Sequence, residues 1–80
     1  MTARVLIIDD SKYMLETLDR ILKENEYDVL KSATGEEGIE IAKSEKPDVV
    51  IIDTVMPGID GFEACKRILS FHSKVYRSLS

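Results

Sequence analysis

The amino-acid sequence predicts an α/β fold whose core is a parallel sheet with helices packed on it. The first observation is a pair of apolar runs, "RVLIID" (Arg4–Asp9) and "DVVIID" (Asp48–Asp53), that show no polar alternation. Such runs are typical of strands buried on both faces of a sheet. The second observation is that each strand-like segment is followed by a segment of helical periodicity. This alternation predicts parallel strands joined by right-handed crossovers.

The first helix follows the first apolar run almost directly. Charged residues separate its apolar positions, and Asn25 and Glu26 end the pattern. The spacing predicts an amphipathic helix of about three turns or more. Its apolar positions are Met14, Leu15, Leu18, Ile21 and Leu22.

The second strand is predicted at "YDVLKSA" (Tyr27–Ala33), whose clearer alternation suits the edge of a sheet. The sequence "TGEE" then matches a capping box, in which the Thr34 hydroxyl accepts a hydrogen bond from the amide of Glu37. The helix that begins here has to end before Pro47, because proline disfavours helical geometry in the residue before it.

The third strand leads into a third helix, which completes a predicted domain at residues 1–69. The remaining segment, residues 70–80, differs because it contains no acidic residue. Its sequence "KVYRSLS" alternates weakly, so two interpretations stay open, an edge strand or a disordered tail. The apolar face of the third helix is formed by Phe62, Cys65, Ile68 and Leu69.

Length, charge and cysteine content restrict the class of protein. Eighty residues form one small domain. The excess of acidic residues, 15 against 11 basic, argues against binding of nucleic acid or anionic membranes. The single cysteine, Cys65, excludes an internal disulfide and fits a cytoplasmic location. No apolar run approaches the roughly 18 residues of a membrane span.

Acidic side chains end both apolar strands, with Asp9 and Asp10 after the first and Asp53 after the third. If the two strands are neighbours, the three carboxylates meet at one edge of the sheet. Their mutual repulsion favours a divalent cation, and all-oxygen ligands favour Mg²⁺ or Mn²⁺ over zinc. A carboxylate beside such an ion can attack a phosphoryl group. The alternative for Asp10 is an N-cap of the first helix, alone or with Ser11.

Three stretches of the sequence resemble the response-regulator receiver domains of two-component signalling, among them the chemotaxis receivers. They are "VLIIDDSKYM" (Val5–Met14), "ATGEEGIEIAKSEKPDVVIID" (Ala33–Asp53) and "DTVMPGIDGFEACKRI" (Asp53–Ile68). The double acid, the aspartate of the third strand and the M-P-G-x-D-G turn together make the resemblance specific. It implies a partial flavodoxin-like, doubly wound parallel sheet (βαβαβα) with the strand order 2-1-3.

The resemblance also implies roles for five residues. Asp53 is the expected phosphoacceptor, and a histidine kinase or a small phosphodonor is the expected partner. Mg²⁺, or Mn²⁺, is expected to bind Asp10, Asp53 and the main-chain carbonyl of Val55, while Asp9 acts through a metal-bound water. The amide of Thr54 is expected near the phosphoryl group. The resemblance implies a phosphate-accepting module of signal transduction rather than an enzyme.

Receiver domains contain five strand–helix units, and this sequence resembles the first three. The resemblance therefore implies a C-terminally truncated receiver that lacks the last two units and whose phosphorylation is impaired. The edge of the third strand is expected to be unpaired, and unpaired apolar edges associate. We therefore expect a homo-oligomer, such as a homodimer, through that edge. The alternative function is a self-associating half-domain or engineered fragment with a structural role and no signalling.

The stretch that would match the fourth strand of the family is "VYRSLS" (Val75–Ser80). Arg77 and Ser78 stand where the family has apolar residues. The family strand ends in a serine or threonine that bonds the phosphoryl group, and Ser80 would take that place after a slip of one residue.

Overall fold

Strands and helices alternate along the chain, as the sequence predicts. The structure is a computed structural model and describes residues 2–53, 61–72 and 74–78. Within that part, no helix is both long enough and apolar enough to cross a bilayer. The elements in chain order are β1 (Arg4–Ile8), α1 (Lys12–Glu24), β2 (Asp28–Ser32), α2 (Gly35–Glu45), β3 (Val49–Asp53), α3 (Gly61–Leu69) and β4 (Val75–Ser78).

The strands form one parallel sheet in the order β2-β1-β3-β4. In register, Leu6 of β1 lies between Leu30 of β2 and Val50 of β3. Leu6 and Val50 are fully buried, because strands inside a sheet with helices on both faces have no solvent-facing side. The observed order confirms the predicted α/β fold and its 2-1-3 arrangement of the first three strands.

β4 corrects an expectation about the edge of the sheet. It pairs in parallel with β3, and the Val50 N–H donates to the Lys74 carbonyl at 2.9 Å. Of the two interpretations of residues 70–80, the edge strand is right for Val75–Ser78. The expectation that the β3 edge is unpaired is wrong, because main-chain hydrogen bonds to β4 fill that edge. The homo-oligomer predicted through that edge loses its structural basis.

The two faces of the sheet carry separate apolar clusters. The smaller cluster joins Val5 and Ile7 of β1 to Leu15 of α1. The larger cluster lies between the other face of the sheet and the helices α2 and α3, so helices cover both faces. The buried residues of the larger cluster are Leu6, Ile8, Ile39, Ala42, Val50, Ile52, Ala64, Cys65 and Ile68.

Gly38 lets α2 pack closely against β1. A Cβ atom at this position would lie 2.7 Å from Ile8 Cγ1 and 3.3 Å from Ile8 Cγ2. Ile8 is fully buried, so its side chain has no space into which it can move. The close approach of helix and strand therefore explains a glycine inside the helix.

Hydroxyl side chains cap the first two helices. Ser11 Oγ accepts from the Met14 N–H at 3.3 Å, and Thr34 Oγ1 accepts from the Glu37 N–H at 3.2 Å. Each bond satisfies an amide that has no partner inside its helix. The Thr34 bond confirms that part of the predicted capping box. The N-cap of α1 is Ser11 and not Asp10.

Arg4 ties together the amino ends of β1 and β3. Its N–H donates to Asp48 Oδ2 at 2.7 Å, and the Asp48 N–H donates to the Arg4 carbonyl at 2.8 Å. The Arg4 guanidinium also donates to the Glu45 carbonyl and to Glu45 Oε1, both at 2.7 Å. These bonds align the two strands at one end, which aligns their carboxyl ends at the other.

Candidate metal site at the carboxyl edge of the sheet

Three carboxylates converge where β1 and β3 end. Asp9 and Asp10 follow β1, and Asp53 is the last residue of β3. One oxygen from each side chain can be chosen so that all three lie within 4.8 Å of one another. Since β1 and β3 are paired neighbours, the convergence follows from the sheet topology that the sequence predicts. The roles of these acids as ligands stay predictions.

The three acids differ in their exposure to solvent. Asp9 and Asp53 are each 5% exposed, whereas Asp10 is exposed. Two of the carboxylates are therefore held in the protein beside one that faces water. A cation can approach from the Asp10 side while the two buried carboxylates stay fixed by their strands.

Main-chain hydrogen bonds hold Asp9 in place. Its N–H donates to the Ser32 carbonyl of β2 at 3.0 Å, which continues the sheet one residue beyond β1. Its carboxylate Oδ1 accepts from the Ser11 N–H at 2.9 Å. Ser32 is buried, and its hydroxyl donates to the Thr34 carbonyl at 2.7 Å. The end of β2 and the start of α1 thus position this carboxylate together.

The pKa of Asp9 is raised above its ordinary value. Burial is the largest cause, because it disfavours the charged form. The Ser11 N–H opposes the shift, whereas the nearby charges of Asp53 and Asp10 and a side-chain hydrogen bond with Asp53 add to it. The cluster therefore holds more negative charge than its surroundings stabilise, which is the condition that a bound cation relieves.

The donor set fits a hard divalent cation. Every donor in the cluster is a carboxylate oxygen, which suits Mg²⁺ or Mn²⁺. The three side chains lie close enough together for one cation to be shared among them.

Two of the predicted site residues, Thr54 and Val55, lie outside the described residues, and so does the turn that follows them. Ser80 lies outside them as well. The register of β4 instead places Ser78 opposite Asp53. In the sequence Ser78 stands where the family has an apolar residue, so the sequence pattern did not predict a place for it beside Asp53. Ser78 is identified by its pairing with Asp53 between β3 and β4, and that pairing is known only from the structure.

A sequence model of the family described as "Response regulator receiver domain" matches residues 5–78 of the chain. The match runs from the second residue of β1 to the last residue of β4 and includes the three acids. This chain belongs to the response-regulator receiver family. Membership agrees with the site, because the conserved topology of a receiver brings the ends of β1 and β3 together.

Individual relatives match most of the length of this chain. Protein PilH of Pseudomonas aeruginosa is 44% identical over 66 residues, which are 82% of this chain and 54% of PilH. The response regulator domain of Thermotoga maritima CheB is 35% identical with a TM-score of 0.84, over 96% of this chain and 60% of that one. Vibrio cholerae chemotaxis protein CheY4 is 28% identical with a TM-score of 0.89, over 100% of this chain and 72% of that one. The chain spans about half the length of PilH.

Proposed function

We propose that this receiver domain accepts a phosphoryl group on Asp53 in a reaction that depends on Mg²⁺. The observation that carries the proposal is the meeting of Asp9, Asp10 and Asp53 at the ends of two paired strands. Family membership supports the choice of phosphoryl transfer over simple cation storage. The chain is then the acceptor in signal transduction and not an enzyme acting on a separate substrate.

In this reaction an oxygen of the Asp53 carboxylate forms a bond to phosphorus. The bond between phosphorus and the donor breaks, and the donor leaves with the electron pair. Neighbouring strands hold β3 on both sides, because β1 pairs with it up to Ile52 and β4 pairs with it up to Asp53. A Mg²⁺ ion bound by Asp10 and Asp53 would neutralise charge on the incoming phosphoryl oxygens.

The other predicted residues complete the proposal. Asp9 would hold a metal-bound water, which suits a buried carboxylate that is fixed by the Ser11 N–H. The Val55 carbonyl would be a further ligand, and the Thr54 amide would donate to the phosphoryl group. The donor would be the phosphohistidine of a histidine kinase or a small phosphodonor. A cytoplasmic location fits the unpaired, buried thiol of Cys65.

The test is phosphorylation by a small acyl phosphate in the presence of Mg²⁺, followed by intact mass spectrometry. We expect the wild-type chain to gain the mass of one phosphoryl group, and Asp53→Asn to gain none. Asp28→Asn is the matched control, because Asp28 is an exposed aspartate at the other end of the sheet. Equal labelling of Asp53→Asn and wild type would refute the assignment.

Metal dependence is tested separately by titrating Mg²⁺ while amide NMR spectra are recorded with and without beryllofluoride. We expect shifts in Asp9, Asp10 and Asp53 on adding Mg²⁺, and further shifts with beryllofluoride. Asp10→Asn should weaken Mg²⁺ binding while its spectrum keeps the dispersion of a folded chain. A wild-type chain that does not respond to either addition would contradict the proposal.

A further inference from the structure

A groove lies between α2 and α3, running along α2 and past the C-terminal half of α3 into the turn after it. Its cavity has a volume of about 570 Å³ and adjoins a second cavity of about 490 Å³. Lys43 and Phe71 line both cavities, so the two form one continuous surface. The first cavity is lined by Glu36, Ile39, Glu40, Lys43, Lys66, Arg67, Ser70 and Phe71, and the second by Ala42, Lys43, Lys46, Phe71 and His72.

An exposed aromatic ring beside a lysine is the distinctive feature of this groove. Phe71 is 43% exposed, and Lys43 Nζ lies 5.9 Å from the centre of its ring. Lys43, Lys46 and Lys66 form no ion pair with any residue that the structure describes. Cations near helix C-termini offset the helix dipole, which accounts for the positions of these lysines but not for the exposed ring.

Cations outnumber carboxylates in the lining of the groove, with four basic residues (Lys43, Lys46, Lys66 and Arg67) against Glu36 and Glu40. Arg67 pairs with Glu63 of its own helix at 3.4 Å. Glu36 and Glu40 line the α2 wall, and neither is paired with a groove cation in the described part of the chain. The groove therefore combines an apolar contact with unpaired positive charge, which is complementary to an acidic segment that carries an aromatic or aliphatic side chain.

The chain itself contains such a segment where α1 ends and β2 begins. Glu24, Glu26 and Asp28 are exposed there and form no ion pair within the described ranges. Tyr27 is 41% exposed and Ile21 is 44% exposed beside them. This segment, residues 21–28, is called the acidic turn below.

No residue of the acidic turn lines the groove of its own chain. α1 packs on the face of the sheet that carries the Leu15 cluster, whereas α2 and α3 pack on the opposite face. β2, into which the turn leads, is the edge strand farthest from β4. A contact between turn and groove therefore requires two molecules.

We propose that the basic groove between α2 and α3 docks the acidic turn of a second copy of this chain. Tyr27 and Ile21 would contact Phe71, while the turn's carboxylates face Lys43, Lys46 and Lys66. Because the two surfaces differ, the contact is heterologous and produces rings or open chains of molecules. Salt screens exposed charges, so the association weakens as ionic strength rises. This inference is independent of phosphorylation.

The test uses charge reversal on each surface, with solution mass measured by sedimentation equilibrium at low ionic strength. The groove variant is Lys43→Glu with Lys66→Glu, and the turn variant is Glu24→Lys with Glu26→Lys. We expect each variant alone to associate at least about tenfold more weakly than wild type, because like charges then face each other. Mixing the two should restore association, since every groove in the mixture meets a turn of opposite charge on the other variant.

The control is Glu16→Lys with Glu37→Lys, which changes the net charge as the turn variant does but at exposed sites away from both surfaces. This control should associate like wild type. Amide NMR on dilution gives a second readout, in which Phe71 and Tyr27 should shift in wild type and in this control, and in neither charge-reversal variant alone. A wild-type chain that stays monomeric overturns the proposal, even if an added acidic peptide binds the groove. Failure of the mixture to associate also overturns it.

Discussion

At the scale of single residues, two aspartates of this chain show how their surroundings decide whether the pKa of a carboxyl group is raised or lowered. Asp9 is buried beside Asp53 and Asp10, so its ionised form is disfavoured. Asp19 lies on α1, with its carboxylate 3.2 Å from Lys23 Nζ and 3.3 Å from Lys31 Nζ. The first carboxylate lies beside two other acids, whereas the second has two cations from its own chain beside it.

The raised pKa of Asp9 predicts a dependence of stability on pH and metal. Without metal, the contribution of Asp9 to stability is full at low pH and is lost as pH rises through its folded pKa. We therefore expect Asp9→Asn to be more stable than wild type at neutral pH in EDTA, with the difference vanishing in acid. The Asn oxygen can still accept from the Ser11 N–H, so that bond is kept. Urea unfolding across pH measures the difference.

The same variant predicts the effect of metal removal. At a Mg²⁺ concentration a hundred times its Kd, wild type should gain about 2.7 kcal/mol of unfolding free energy. Asp9→Asn should gain less, and EDTA should abolish the gain in both. Equal stabilisation of the two chains by Mg²⁺ would place the ion away from Asp9.

The pKa of Asp19 is shifted in the opposite direction. Burial acts to raise this pKa, but the ammonium groups of Lys23 and Lys31 together outweigh burial and lower it. Its contribution to stability is therefore present at neutral pH and is lost as pH falls through the folded pKa. We expect Asp19→Asn to cost about 0.5–1 kcal/mol at neutral pH, since both lysines are largely exposed. Urea titrations at neutral and acidic pH should show the cost disappear in acid.

At the scale of elements, capping side chains and close packing set where each helix lies. Ser11 starts α1 directly after the acid pair, so the helix leaves the site without using Asp10 as a cap. Thr34 starts α2 in the same way. Gly38 then allows α2 to approach Ile8, which is the last residue of β1 and precedes Asp9. α2 thus packs against the residue that precedes the first acid of the candidate metal site.

Gly38→Ala tests this close approach. The added methyl group would overlap Ile8, which costs about 1–3 kcal/mol in a packed core. The better helix propensity of alanine offsets up to about 1 kcal/mol of that cost. We expect a net loss of stability in urea unfolding. Glu40→Ala, at an exposed position of the same helix, should change stability by no more than about 0.5 kcal/mol.

At the scale of the whole molecule, His72 connects β4 to the rest of the chain. Its Nε2 lies 2.5 Å from the Pro47 carbonyl, and its Nδ1 accepts from the Lys74 N–H at 3.1 Å. Because a carbonyl only accepts, the proton of the neutral ring belongs on Nε2. The Lys74 carbonyl in turn accepts from the Val50 N–H of β3. One imidazole therefore joins the loop before β3 to the first bond of the β3–β4 ladder.

His72→Ala should weaken the attachment of β4. The change leaves the buried Pro47 without its partner from this ring, which costs about 1–3 kcal/mol. Hydrogen exchange should accelerate at the Val50 amide more than at amides of β1, because the edge of the sheet opens locally. Lys74→Ala, whose exposed side chain leaves the main-chain bonds intact, is the control. Uniform acceleration over both strands would mean that β4 has no separate opening.

The sequence by itself determined the strands β1 and β3, the capped start of α2 and the acids that end the strands. These depend on patterns within a few residues, such as an unbroken apolar run or a threonine three residues before Glu37. The meeting of Asp9 and Asp53 was predictable too, because it follows from parallel strands that pair side by side. The resemblance to receiver domains predicted the order of the first three strands.

Only the tertiary structure decided that Val75–Ser78 form a strand. "KVYRSLS" alternates too weakly to distinguish a strand from a tail, so its local preference is small. Bonds to partners far away in the chain settle the outcome, from Val50 to Lys74 and from His72 to Pro47. The same holds for the ionisation of Asp9, which depends on burial and on Asp53, 44 positions further along the chain. Contacts between distant residues leave no local pattern in a sequence, and the sheet edge and the charge of the site both depend on them.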